Sequence, residues 1–405
     1  RPRTDERQVE AAAELLRGAK KPLLIAGGGV RYSGAEAALA EFAGQHRVPV
    51  VETIAGRTVL VHDHPLNAGP IGGLGSSSAN HLAAEADVVL AVGTRLQDFT
   101  TGSWSLFADD ARFIGLNAAR FDARKHLALP VVGDAQAGLK ELGAALHGWQ
   151  APESWLGEAR RAYGEWNAFV DQRSGPTNAE LPTYAHVVGA VNRLAEPRDL
   201  ALTAAGGMPG ELCMCWRAKE PSTFDCEFGF SCMGYEIAGG WGAKLADPSR
   251  DVIVMVGDGS YLLMNSDIYS SVLTGLKLIV VVCDNGGFAV IDRLQRAKGI
   301  PSFNNQLADT RHVGELARVD FAKHAEAMGA VGINVSGIGE LEDAFRRAKA
   351  ADRTTVIHID IHPTDWTEGN GSWWECGTPE VSERASVRAA RQEHEAGKRK
   401  QRVGV

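Results

Sequence analysis

Two doubly wound α/β domains, each built on a parallel sheet, are what this sequence predicts. Three observations carry the prediction. Short apolar runs rich in β-branched residues recur, and they end in glycine or a small polar residue: Pro22–Ala26 before Gly27-Gly28-Gly29, Val88–Val92 before Gly93-Thr94, and Val252–Val256 before Gly257. Helical stretches alternate with these runs. The stretch from Asp251 to Gly287 shows the repeating unit whole, as strand, Gly-rich turn, helix and strand.

The first domain is expected over residues 1–147. Val9–Arg17 reads as an amphipathic helix, Pro22–Ala26 as a strand, Ala35–Gln45 as a helix and Val48–Thr53 as a strand. Val88–Val92 and Arg112–Leu116 are further strands, the second ending at Asn117. Ala26–Val30, AGGGV, lacks the GxGxxG spacing and the following acid of a dinucleotide site, so it reads as a structural turn. The Gly-rich segment Asn67–Asn80 reads as a turn into a helix capped by serine. The chain opens on Arg1 rather than Met, which points to an internal start.

Residues 148–182 are read as a linker. Trp149, Trp155, Tyr163 and Trp166 lie there in a helical, charged stretch and would anchor it to both domains. Ser174-Gly175-Pro176 marks the break into the second domain, residues 183–371. That domain opens with a helix, Tyr184–Leu194, and a strand, Leu200–Thr203, followed by Ala204-Ala205-Gly206-Gly207. After the strand at Val252–Val256, one helix is expected to run to about Leu273, then a strand at Leu276–Cys283. Gly286–Phe303, with Phe288, Asp292, Arg293 and Gln295, reads as a loop over the ligand side. Helices at Asp320–Met328 and Glu340–Lys349 and a strand at Thr355–Ile361 close the sheet, with His324 a surface or core residue. The tail, residues 372–405, couples Trp373 and Trp374 to a charged amphipathic helix.

The composition, 44% hydrophobic and 23% charged with a net charge of −8, is that of a soluble globular chain and argues against general nucleic-acid binding. No apolar run reaches membrane-spanning length, and no secretory leader is visible. Six cysteines without a CxxC pair fit a reducing cytosol. Cys213 and Cys215 read as core thiols or strand neighbours, not a metal site.

In a parallel sheet, ligands bind beyond the carboxyl ends of the strands. Asp258 stands just past one such end and Asn285 just past another. A carboxylate, an amide oxygen and a backbone carbonyl beside glycines are hard ligands of the kind Mg²⁺ shares with a phosphate. The amides of Gly259 and Ser260 open a helix, where an anion is favoured. The site reads as metal plus diphosphate; the alternative is a plain strand-to-helix turn with an Asp cap.

Three segments together decide between these readings. Gly257-Asp258-Gly259-Ser260, the strand ending at Asp284-Asn285, and Phe228–Ala246 with its Met233-Gly234-Tyr235 resemble, at matching intervals, the thiamine diphosphate enzymes. Asp284 stands where the family usually has the first Asn of a pair. The resemblance implies two cofactors, thiamine diphosphate and Mg²⁺. It implies metal ligation by Asp258, Asn285 and the carbonyl of Gly287. It implies cofactor contacts from Gly206, Gly207, Met233, Gly257, Asp258, Gly259, Ser260, Asn285, Gly287 and Phe288. Met233 would be the apolar prop that bends the cofactor, the alternative being core packing. The first domain corresponds to the family's central, Rossmann-like domain, expected here without a nucleotide.

MGYEIAGG (233–240), DGSYLLMNSDI (258–268) and the Trp-Trp tail are similar to a hydrolytic branch that opens a cyclic 1,2-diketone in inositol catabolism. The expected activity is therefore C–C bond hydrolysis of a small cyclic diketone. A carboligase of acetolactate-synthase type and a non-catalytic diphosphate-binding fragment are the alternatives. In the family an activating Glu comes from a pyrimidine-binding domain, normally of the neighbouring subunit. No stretch here resembles that domain, so no catalytic residue is assigned in this chain. The expected partners are that domain and further copies of the chain, as a homodimer or homotetramer with sites at the interfaces, without nucleic acid or membrane.

Overall fold

The structure is a computed structural model and describes residues 1–310 and 318–403. Twelve strands form two six-stranded sheets in which every pairing between named strands is parallel. The first contains β1 (Pro22–Ala26), β2 (Val50–Glu52), β3 (Asn67–Pro70), β4 (Val88–Val92), β5 (Arg112–Asn117) and β6 (Leu129–Val132), in the order β3-β2-β1-β4-β5-β6. The second contains β7 (Leu200–Thr203), β8 (Phe224–Cys226), β9 (Val252–Gly257), β10 (Ile279–Asp284), β11 (Val331–Val335) and β12 (Thr355–Asp360), in the order β11-β12-β10-β9-β7-β8. Both are doubly wound, as expected from the alternating apolar runs.

The central strands are continuous apolar runs because both of their faces are covered. Along β9, Ile253 and Met255 enter one core and Val252, Val254 and Val256 the other. The first sheet divides in the same way, with Leu24 on one face and Leu23 and Ile25 on the other.

The four strands that the sequence did not disclose are β3, β6, β8 and β11. None has a long β-branched run: β3 is NAGP, β6 is LPVV, β8 is FDC and β11 is VGINV. All four are edge strands, where register with a neighbour supplies what intrinsic pattern does not. The single helix expected to run to Leu273 is two, Asp258–Leu263 and Asp267–Thr274, broken at Met264–Ser266. The expected loop at Gly286–Phe303 contains a helix, Ala289–Ala297, with Ala289 and Asp292 buried. Val290, Ile291, Leu294 and Ala297 do recur at helical spacing, a stripe that the reading as a Gly-rich loop passed over. Cys213 and Cys215 are core thiols, but on a helix, Met208–Cys215, rather than on strands.

The segment between the sheets is a 22-residue helix, Glu153–Ser174. Trp155 plugs the first core and donates its indole N–H to the Pro22 carbonyl at 2.8 Å, while Trp166 and Val170 belong to the second core. A buried ion pair adds a second tie. Arg57 meets Glu52 at 2.5 Å and donates to the carbonyls of Cys213 and Trp216, both at 2.8 Å. The tail crosses back to the first domain. Trp374 donates through its indole to Ser105 Oγ at 3.0 Å and packs over Gly397 of the tail helix, Ala385–Lys398.

Candidate active site

The strand order of the second sheet reverses between β7 and β9, and that is where its crevice opens. A cavity of about 610 Å³ lies there. All ten residues that the sequence singled out line it, from Gly206 and Gly207 after β7 to Gly287 and Phe288 after β10. Four segments far apart in sequence thus converge on one crevice.

Register explains how Asp258 meets Asn285. β9 and β10 are hydrogen-bonded neighbours with Gly257 opposite Cys283, so Asp258 and Asp284-Asn285 leave the sheet side by side. Asp258 Oδ1 and Asn285 Oδ1 are both buried, and neither has a hydrogen-bond partner among the described residues. Two orphaned oxygen acceptors in one crevice are costly unless something cationic or protic satisfies them. Burial raises the Asp258 carboxyl above the ordinary carboxylate range, and the negative charge of Asp284 pushes the same way. The amides of Gly259, Gly287 and Asn285 draw it partly back. The donor set of carboxylate, amide oxygen and carbonyl fits a hard divalent cation.

Asp284 behaves differently. Burial works to raise it, but His358, the Gly286 amide and Arg318 outweigh burial and hold it low. Gly286 N–H donates to Asp284 Oδ1 at 2.8 Å, and Arg318 Nη2 stands 2.9 Å from Asp284 Oδ2 and 2.8 Å from Asp360. Asp284, His358 and Asp360 form a compact group of ligand type, yet the Arg318 guanidinium already pairs with both of its carboxylates.

Glycines shape the floor. Gly287 has a φ of 141°, and a Cβ there would lie 2.5 Å from the Asn305 carbonyl oxygen. That conformation lets Phe288 N–H reach the Asn305 carbonyl at 2.7 Å and turns the Phe288 ring against Gly259. Met233 is half-buried, lies outside the hydrophobic cores and faces the cavity near Gly259. This placement speaks against the core-packing alternative.

Several residues at the site gave no recognisable signal in sequence. Tyr184 is fully buried, and its hydroxyl accepts from Asn285 Nδ2 at 2.7 Å, which turns Asn285 Oδ1 toward the crevice. Its ring stacks on Trp366, with centroids 5.4 Å apart. Across the cavity, Phe99 packs on Phe228 and Trp373, and Trp373 donates to Asp98 at 2.8 Å. The first domain and the tail therefore wall the site that the second domain floors. Glu236 had a visible cue, as an acid three residues after Met233 in an otherwise uncharged segment.

Comparison with known proteins follows this geometry. Residues 9–142 match the thiamine pyrophosphate enzyme central domain, and residues 204–359 match the thiamine pyrophosphate enzyme C-terminal TPP binding domain. The chain is 39% identical over 410 aligned residues to a 3D-(3,5/4)-trihydroxycyclohexane-1,2-dione hydrolase of Geobacillus thermodenitrificans. It is 36% identical over 409 to one of Bacillus anthracis and 36% over 410 to one of Bacillus thuringiensis. Each alignment covers 94% of this chain and 64% of the relative, so the chain spans just under two thirds of the length of these proteins.

Proposed function

This chain belongs to the thiamine pyrophosphate enzymes, of which it carries the central and the C-terminal TPP-binding domains, and we propose that it supplies the diphosphate- and metal-binding half of a hydrolase that opens a cyclic 1,2-diketone. The observation that carries the reading is the pair of buried, unpartnered oxygens on Asp258 and Asn285 at adjacent strand ends.

In this reading Asp258, Asn285 and the Gly287 carbonyl hold Mg²⁺, and the Gly206-Gly207 loop and the backbone around Gly259 and Ser260 receive the diphosphate. Thiamine diphosphate, when bound, supplies an acidic thiazolium carbon and an electron sink for cleaving a bond beside a carbonyl. The chain's own work is to orient the cofactor and keep water away from it. Met233 and Phe288 give apolar surface beside Gly259, and Phe99, Phe228 and Trp373 shield the opposite side. The substrate is proposed as a trihydroxycyclohexane-1,2-dione, after the name of the relatives, and the step as part of inositol catabolism.

The segment that begins at Asp258 bears apolar side chains without cover. Leu262, Leu263, Met264, Tyr269 and Leu273 are each about half exposed or more, on the helices Asp258–Leu263 and Asp267–Thr274 and at the break between them. Such a surface supports assembly with a pyrimidine-binding domain and with a second copy of the chain. Among the described residues no helix is long and apolar enough to cross a membrane.

Calorimetry with thiamine diphosphate, with Mg²⁺ and with excess chelator, tests the site. Chelator-sensitive binding supports it, and binding indifferent to metal removes it. Product analysis of the assembled enzyme with the cyclic dione and with pyruvate tests the reaction. Pyruvate turnover without dione cleavage would replace the hydrolase by a carboligase. Cofactor binding with neither turnover would leave a diphosphate-binding module.

A further inference from the structure

We propose that Glu236 is a positioning residue that clasps the cofactor-facing loops into one cradle. The inference rests on the functional reading above. Glu236 opens the helix Tyr235–Ala246 and is completely buried, yet it faces no lysine or arginine ion partner among the described residues. Its carboxylate is spent on loop backbone. Oε1 accepts the Ala205 N–H at 3.2 Å, and Oε2 accepts the Gly234 N–H at 2.8 Å.

Those two donors belong to different segments. Ala205 precedes Gly206-Gly207, and Gly234 follows Met233. One side chain therefore sets the spacing between the β7 loop and the Met233 turn. Gly234 is held at a φ of 96°, with Met264 where a Cβ would stand, so the Met233 turn has little slack. A carboxylate suits the task because each of its oxygens can accept, and both partners donate. Glutamine, of the same shape, would turn an NH₂ donor against one of the N–H groups.

The test uses the full chain and compares Glu236→Gln and Glu236→Ala with Val254→Ala. Val254 is a buried residue of β9 in the core, and its variant serves as a control for general destabilisation. Two readings are taken. One is the dissociation constant for thiamine diphosphate with Mg²⁺, and the other is hydrogen exchange at the Ala205 and Gly234 amides without ligand. Expected is at least a tenfold loss of affinity in Glu236→Gln, with faster exchange confined to those loops. Val254→Ala, at equal or greater loss of thermal midpoint, should bind within about threefold of the parent. A folded Glu236→Gln chain with unchanged affinity overturns the inference, as does a loss matched by Val254→Ala. A parent chain that binds no thiamine diphosphate overturns the functional reading and this inference together.

Discussion

Tyr184 and Asn285 meet at 2.7 Å, the amide nitrogen donating to the phenol oxygen, and this contact decides which way the amide oxygen faces. Tyr184 lies on a helix that begins the second domain, about a hundred residues before its partner. Tyr184→Phe keeps the ring on Trp366 and removes the acceptor. Its loss forfeits a hydrogen bond of about 1 kcal/mol. Affinity for Mg²⁺ with thiamine diphosphate should fall roughly fivefold, in line with that energy. Titration calorimetry of a folded variant with undiminished affinity would remove Tyr184 from the site.

Asp258 is the charged member of the proposed ligand set. Asp258→Ala should abolish metal-dependent cofactor binding. The same change should raise the thermal midpoint of the ligand-free chain, because it deletes a buried acceptor that has no partner there. Calorimetry and a thermal melt read the two effects, and retained binding would refute the metal assignment.

Met233 separates binding from packing. It is half-buried and belongs to none of the hydrophobic cores. Met233→Ala should reduce the activity of the assembled enzyme at least tenfold while lowering the stability of the ligand-free chain by less than about 1 kcal/mol, well under the 2–5 kcal/mol of a core truncation. A large drop in the ligand-free melt would make it a packing residue instead.

Acid sensitivity should come from Asp251, which immediately precedes β9, the strand that leads to Asp258. Burial works to raise its carboxyl, but Lys349 at 2.9 Å, Lys277 at 3.4 Å and Lys244 at 3.8 Å overcome burial and hold it below its ordinary value. A depressed folded pKa means that the stabilisation is complete above the unfolded value near 4 and is lost as pH falls through the lower folded value. Asp251→Asn should cost roughly 1.5–3 kcal/mol at neutral pH. It should also flatten the fall in stability below about pH 4. Denaturant melts between pH 7 and pH 3 check both, and parallel curves for parent and variant would exclude the group.

The sequence by itself determined the central parts of both sheets, since Pro22–Ala26 and Val252–Val256 are continuous apolar runs that only a two-sided parallel sheet covers. It also determined that Asp258 and Asn285 would meet in one crevice, because βαβ connectivity sends the residues after β9 and β10 to the same edge. Tertiary structure alone decided the rest. The edge strands β3, β6, β8 and β11 are short or polar, and form because a neighbour offers its ladder. The helix Ala289–Ala297 forms where a loop was expected, its two buried residues finding cover only after the chain folds back past Gly287. Tyr184, Trp366 and Trp373 carry no local mark of their roles, since what places a hydroxyl on Asn285 or an indole on Asp98 is the packing of segments a hundred or more residues apart.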